Sequence, residues 1–420
     1  MRRVATAALA LLLTACGPGR VVRGGAINMD LLAAIRVGLT RVRGLAFTAD
    51  VPARPMAPAD IRGRLSRELD ESFAPGDLDR VAAVETRLGL LPPGIALRPT
   101  YERLFESQIA AFYDPRAKDL GISTEALHAG GALIGFVSTI TNRDFVGELL
   151  VSHELTHALQ DQHWGLPTAP EPMLDSHGDR VLARRALLEG DATLTSFAYT
   201  RGGALDAGTV DAILGQMRTL PGELAKQYPD VPDAIRTPLV FQYDAGTAFT
   251  ARAYLRGGWP AVDAAEADPP ASSEQVLHPE RYFDARDVPV DVAIGGTDRL
   301  EADGWRPVLE DTIGELGSRI LVGGELSPAT AVRVADGWGG DRLRAFTKGD
   351  ALVLVWMTAW DRAEDATDFA GAMPVVRPDA RIDQRDDRVL VLLGPESPAS
   401  PMLAALASRV WQHTQVRRPS

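Results

Sequence analysis

At 420 residues, with 45% hydrophobic and 24% charged side chains, the chain has the make-up of an ordinary globular protein. That length allows two or three packed domains at roughly 150 residues each. The formal charge of −12 is the opposite of a basic nucleic-acid footprint, so no nucleic-acid partner is expected. No internal repeat is evident, and no apolar run beyond the N-terminus is long enough to span a bilayer.

Arg2 and Arg3 precede an apolar run from Val4 to Ala15 that ends at Cys16. A charged start and a short apolar stretch are the marks of a secretory signal, too short for a membrane-spanning helix. Leu13-Thr14-Ala15-Cys16 resembles the bacterial lipobox, in which cleavage precedes a lipidated cysteine. Cys16 is the only cysteine of the chain, so it has no partner for an internal disulfide, and a lipid anchor accounts for its presence. The expectation is a signal peptide over 1–15, a tether over 16–28, and an extracytoplasmic protein held to a membrane by its acyl chains. Gly17 follows Cys16, as in lipoproteins sorted to the outer membrane of a Gram-negative cell.

From 29 to 108 the pattern is helical, through MDLLAAIRVGL, ADIRGRLSRELDESF and DLDRVAAVETRLGL, with breaks at VPARP, APGD and LPPG. In IAAFYDPRAKDLGIS two short apolar runs flank Asp114-Pro115, which reads as a β-hairpin. Asn142 or Asp144 is placed to cap a helix that Gly165 and Pro167 close. Ser176, with Asp179 three residues on, resembles a capping box for a second helix that stops at Gly202-Gly203. Residues 205–290 read as mostly helical with Pro-rich breaks. After about 291 the runs LRAFT, ALVLVWMTAW, ARIDQ and RVLVLLG read as strands, with helices at 306–322, 362–372 and 399–413. The fold class is therefore α+β, with a C-terminal α+β domain over 291–420. Gly337-Trp338-Gly339-Gly340-Asp341 reads as a tight turn under Trp338, since it lacks the spacing of a phosphate loop.

Within the first capped helix stands VSHELTHALQDQHWG, Val151 to Gly165. His153-Glu154-Leu155-Thr156-His157 is the H-E-x-x-H pattern of a zinc site. Positions i and i+4 share a helix face, so both imidazoles converge on one point. Glu154 is turned about 100° from His153, where its carboxylate reaches a water on the ion without binding the ion. Zn2+ acidifies that water and polarises a carbonyl, and the glutamate takes the proton. The third ligand has two candidates. His163 stands where the metzincin pattern ends, but Gln160 occupies the position where that pattern needs a glycine. If the helix continues, His163 lies about 80° off the face of His153. Glu189, in ALLEGDA on the second helix, follows His157 by 32 residues, enough for a loop and an antiparallel return. Gly190 and Ala192 beside it permit close helix–helix approach.

HELTHALQ followed by a helix bearing E-G-x-A resembles the gluzincins, the thermolysin-like zinc metallopeptidases. The resemblance covers roughly 109–200 and implies a mostly helical zincin-like catalytic domain over 109–290. It also implies a zinc set of His153, His157 and Glu189, Glu154 as general base, and a peptide or protein substrate laid along the FYDPRAKDLGIS hairpin. Thr193 stands where thermolysin has an aspartate four residues after its ligand, so the resemblance gives Asp191 no supporting role. In the family a downstream tyrosine and histidine stabilise the oxyanion. The candidates here are Tyr243 and His278, the latter near Tyr282. His128, His177 and His413 show no partner pattern and read as structural. A reading from another class is a non-catalytic envelope binding or assembly lipoprotein with a structural or vestigial zinc site, consistent with the large region 291–420.

Overall fold

The computed structural model describes residues 20–106, 111–124, 144–168, 173–203 and 205–418. The signal-like segment, Cys16, His128 and Asn142 lie outside the described residues. The chain is an α+β fold with several small sheets.

A short hairpin, β1 (Val22–Arg23) and β2 (Ala26–Ile27), leads into α1 (Met29–Arg43). Asn28 caps α1 by accepting the Leu31 N–H, and Gly44 ends it at φ 73°. The VPARP segment, expected as a break, forms β3 (Ala53–Met56). It is followed by α2 (Pro58–Ser72), α3 (Asp77–Leu88) and α4 (Leu97–Glu106). The expected hairpin is present as β4 (Ala111–Asp114) and β5 (Asp119–Ser123). β3 pairs in parallel with β5, giving a three-stranded sheet of order β3-β5-β4, with β4 at an edge.

Helix α5 (Phe145–Trp164) carries the HELTH segment. Asp144 caps it by accepting the Gly147 N–H at 3.1 Å, and Gly165 ends it at φ 76°. It buries residues on nearly every side, because α1, the edge hairpin and α6 all pack on it. Helix α6 is Gly178–Thr200. Its start differs from the capping-box expectation. The Gly178 N–H is satisfied by Asp311 Oδ1 at 2.7 Å, while Ser176 gives its own N–H to Glu310 O. Asp179 instead accepts the Ser273 N–H. A carboxylate far along the chain thus does the work assigned to a neighbour.

After α7 (Ala207–Met217) and α8 (Leu220–Gln227) comes the long α9 (Asp233–Ala267), kinked at Gly257-Gly258. Gly258 takes φ 66°, open to glycine at little cost, and Pro260 follows. Helices α6 and α9 cross at Gly190 and Gly246. A Cβ on either glycine would overlap backbone of the opposite helix, so the two main chains touch directly.

The short helices α10 (Ser273–Leu277), α11 (Glu280–Phe283) and α12 (Asp298–Ala302) connect this part to a five-stranded antiparallel sheet of order β10-β11-β9-β8-β7. Its strands are β7 (Arg306–Asp311), β8 (Trp338–Lys348), β9 (Ala351–Trp360), β10 (Arg381–Arg385) and β11 (Arg388–Leu393). β6 (Asp291–Ala293) and β12 (Gln415–Arg417) pair separately. The helices here are α13 (Gly314–Gly323), α14 (Pro328–Ala335), α15 (Ala363–Val376) and α16 (Pro401–His413). The expected helix over 306–322 is therefore a strand followed by a shorter helix. Arg306-Pro307-Val308-Leu309 pairs with β8 as an edge strand, with an irregularity between Pro307 and Leu309 where the missing N–H does least harm.

Both faces of this sheet are buried, which is why β9 reads as one apolar run. Leu354, Trp356 and Trp360 point into a core with Phe369, Leu321 and Trp338. Val353, Val355 and Met357 point into the opposite core with Phe346, Leu406 and Val410. Val84 and Leu88 of α3 also belong to the first of these cores. The region 29–108 is thus divided, with α1 against α5 and α3 against the C-terminal sheet.

Candidate metal centre

Three side chains from two helices meet in one place. The Nε2 atoms of His153 and His157 lie 3.2 Å apart, with ring planes at 87°. Glu189 Oε2 is 3.0 Å from His153 Nε2 and 3.6 Å from His157 Nε2. A tetrahedral ion with bonds of about 2.0–2.1 Å holds its donor atoms about 3.3 Å apart. The triangle has that size, and its atoms are the borderline nitrogens and hard oxygen that suit Zn2+. These residues fit the ion.

Electrostatics organise the cluster. Burial and the charge of Glu189 push the carboxyl of Glu154 up, against the two imidazoles and the Tyr113 N–H, which favour the anion. Burial opposes a charge on Glu189, but the imidazoles outweigh it and hold that carboxyl well below its ordinary range. Burial likewise works against protonated His157, but Glu189, then Glu154 and Gln160, raise it to about 10.

The edge hairpin is fastened to α5 at two points. The Tyr113 N–H donates to Glu154 Oε2 at 2.8 Å. About two turns of helix further, Asp161 Oδ2 accepts from the Tyr113 hydroxyl at 2.6 Å and from Lys118 Nζ at 2.7 Å. Strand β4 therefore runs beside the carboxylate of Glu154.

Tyr243, from α9, belongs to the same group. Its ring stacks on His153 at 6.3 Å between centroids, and its hydroxyl bonds to Glu189. Burial, with the charges of Glu189 and Glu154, raises its ionisation well above the ordinary value, so it remains a hydrogen-bond donor. The Gly190–Gly246 crossing brings Glu189 and Tyr243 within reach of each other.

His278 is not brought to this cluster. Its Nε2 is 3.1 Å from Glu315 Oε1 and 3.1 Å from an Arg319 nitrogen. It sits at the junction with α13, because the backbone after α10 turns toward that helix. Tyr282 likewise gives its hydroxyl to Asp268 O. His163 also points away, since α5 continues through Trp164 without the sharp turn a metzincin needs. Its Nε2 contacts Ala46 O at 2.9 Å. His177 lies beside Asp175 and Arg342, and His413 contacts Arg409 O.

Two other groups among the described residues have ligand-type atoms close together: His278 with Glu315 and Asp336, and Glu274 with Asp287 and Asp361. Each already holds a guanidinium. Arg319 bonds to both Glu315 and His278. Arg281 Nη1 is 2.9, 3.0 and 2.6 Å from Glu274, Asp287 and Asp361. A fixed cation occupies the place an ion would take.

The interaction that sequence reasoning missed lies behind His157. Its Nδ1 is 2.8 Å from Gln160 Oε1, and Gln160 Nε2 is 3.1 Å from Asp191 Oδ2. Asp191, which the resemblance left without a role, is therefore joined to the cluster through Gln160. The sequence signal was the polar pair Gln160 and Asp191 on faces otherwise expected to be buried.

A family model described as "Domain of unknown function (DUF8575)" matches residues 306–401, from β7 to the first residue of α16. No residue of the metal cluster falls within that span. No curated protein matches the chain, and no solved structure matches it.

Proposed function

We propose that the chain is a zinc metallopeptidase of gluzincin type that hydrolyses peptide bonds without a covalent intermediate. The observation that carries this is the donor triangle of His153, His157 and Glu189 with the carboxylate of Glu154 beside it, turned to the edge strand. Zn2+ held there would supply an acidified water and a Lewis acid for the scissile carbonyl.

The chain's own groups do the rest. Glu154, raised by burial, is suited to take a proton from the attacking water and pass it to the leaving amine. The Tyr113 N–H steadies the unprotonated oxygen of that carboxylate between the two transfers. Strand β4 offers an extended peptide a partner for main-chain hydrogen bonds along the cluster. Tyr243, a persistent donor stacked on His153, is placed to steady negative charge that develops near Glu189. A protein or peptide substrate fits this arrangement.

The lipobox-like run ending at Cys16 supports an extracytoplasmic protein anchored in a membrane by lipid. Among the described residues no helix is long and apolar enough to cross a membrane. A Cys16→Ala chain is expected to leave the membrane fraction.

The activity test combines elemental analysis with hydrolysis of a peptide library. Bound zinc with peptide cleavage, lost in Glu154→Gln with the zinc kept, is the expected result. Zinc retained with no cleavage of any peptide would favour the non-catalytic envelope lipoprotein, and wild-type activity in Glu154→Gln would refute the mechanism.

A further inference from the structure

We infer that Gln160 is a positioning residue for the metal ligand His157, and that Arg43 of the N-terminal helix α1 is a working part of the same device. This rests on the zinc reading above and extends it to residues that no ligand pattern names.

Gln160 is 1% exposed. Its Nε2 faces three acceptors: Leu188 O at 3.0 Å, Asp191 Oδ2 at 3.1 Å and Glu266 Oε1 at 3.3 Å. Three oxygens on one side fix which end of the amide is NH2, so the other end, toward His157, is the oxygen. Gln160 Oε1 can only accept. In neutral His157, the form that would bind a metal, the proton therefore sits on Nδ1, leaving Nε2, the atom directed at Glu189 and His153, as the free donor nitrogen. That is the tautomer a ligand bonding through Nε2 needs, and such outer partners orient and strengthen a histidine ligand.

Asp191 transmits the constraint. It is fully buried, with Oδ1 accepting from Thr195 Oγ1 at 3.0 Å and Oδ2 accepting from both Gln160 and Arg43. Arg43 is 3% exposed, bridges Asp191 at 3.1 Å and Asp263 at 2.8 Å, and lies over the Trp259 ring at 4.6 Å. A buried carboxylate without a cation would be costly, so Arg43 lets Asp191 sit where Gln160 needs it. An amide serves here because it accepts at one end and donates at the other. The chain thus runs from α1 through α6 to α5, and it ends on a ligand. It follows that α1 is part of the working molecule, not a segment to be removed before activity.

The test uses the full-length protein, with zinc affinity read by chelator competition and ligand geometry by the visible spectrum of the Co2+-substituted form. Gln160→Met, close in size and without polar ends, is expected to keep its far-ultraviolet circular dichroism while zinc binding weakens about 10–100-fold and the Co2+ bands shift. Arg43→Met is expected to move both readouts in the same direction by less, and His163→Ala to move neither. A second measurement needs no variant: in the zinc-loaded wild type, 1H–15N histidine spectra should show His157 protonated at Nδ1. A folded Gln160→Met with wild-type affinity and spectrum, or His157 protonated at Nε2, overturns the inference. A wild type that binds no zinc overturns the zinc reading itself, and the inference with it.

Discussion

Around α5, α6 and α9 many buried side chains are polar, Thr156, Gln160, Asp191, Thr195 and Thr250 among them, whereas the five-stranded sheet buries Leu, Val, Trp and Phe on both faces. A satisfied polar group adds only about 1 kcal/mol net, but stranding its partner costs about 1–3 kcal/mol. An apolar face instead contributes in proportion to the area it removes from water. The region of α5, α6 and α9 gains a fixed geometry from its polar contacts, and the sheet supplies much of the stability. Their cores meet through α13, which faces α9 and α10 on one side and α14 and α15 on the other.

That contrast can be broken at several points. The largest expected effect is on activity alone. Glu154→Gln should lower turnover by about 10²–10⁴-fold with an unchanged melting temperature, and a loss of both in proportion would mean Glu154 is mainly structural. In the sheet, Trp356→Ala should cost about 3–5 kcal/mol, since Trp356 is wholly buried against Phe369. Zinc per folded molecule should be the same in Trp356→Ala and the wild type; a lower zinc content in the folded variant would mean that the two regions are not separable in this way.

Gly190→Ala is expected to affect both properties. The added methyl meets the Gly246 backbone, so the helices must part at a cost of about 1–3 kcal/mol, moving Glu189 relative to Tyr243. Weaker zinc binding alongside the lower melting temperature is the outcome to look for.

A smaller effect concerns pH at the junction. Burial raises Asp179 from 3.8 to about 7, with Asp341 and Glu315 adding, against its bonds to Ser273. The folded chain therefore keeps a proton that the unfolded chain releases at about pH 4. The contribution is complete below that pH and is lost as pH rises through about 7, falling by at most about 1.4 kcal/mol per unit. Urea titrations between pH 4 and 8 should show this slope in the wild type and a flatter one in Asp179→Asn; parallel slopes would contradict it.

The local signals in the sequence carried the cluster's outline. Asp144, Gly165 and Gly202-Gly203 mark helix ends by backbone chemistry that depends on immediate neighbours alone. The Gly190 position could be read because small residues beside Glu189 permit close helix–helix approach. Contacts between distant segments were not legible. Asp311 satisfying the start of α6, α3 joining the C-terminal core, and Arg43 reaching Asp191 across 148 residues all depend on tertiary packing. His278 misled for the same reason: a histidine after a capped helix looks alike whether it faces a metal or Glu315.

Zinc content is the measurement on which the account turns, read on purified wild type, Glu189→Ala and His163→Ala. About one ion per wild-type chain is expected, the same in His163→Ala, with loss of the ion in Glu189→Ala. Retention in Glu189→Ala with loss in His163→Ala, or a wild type that binds none, would contradict it.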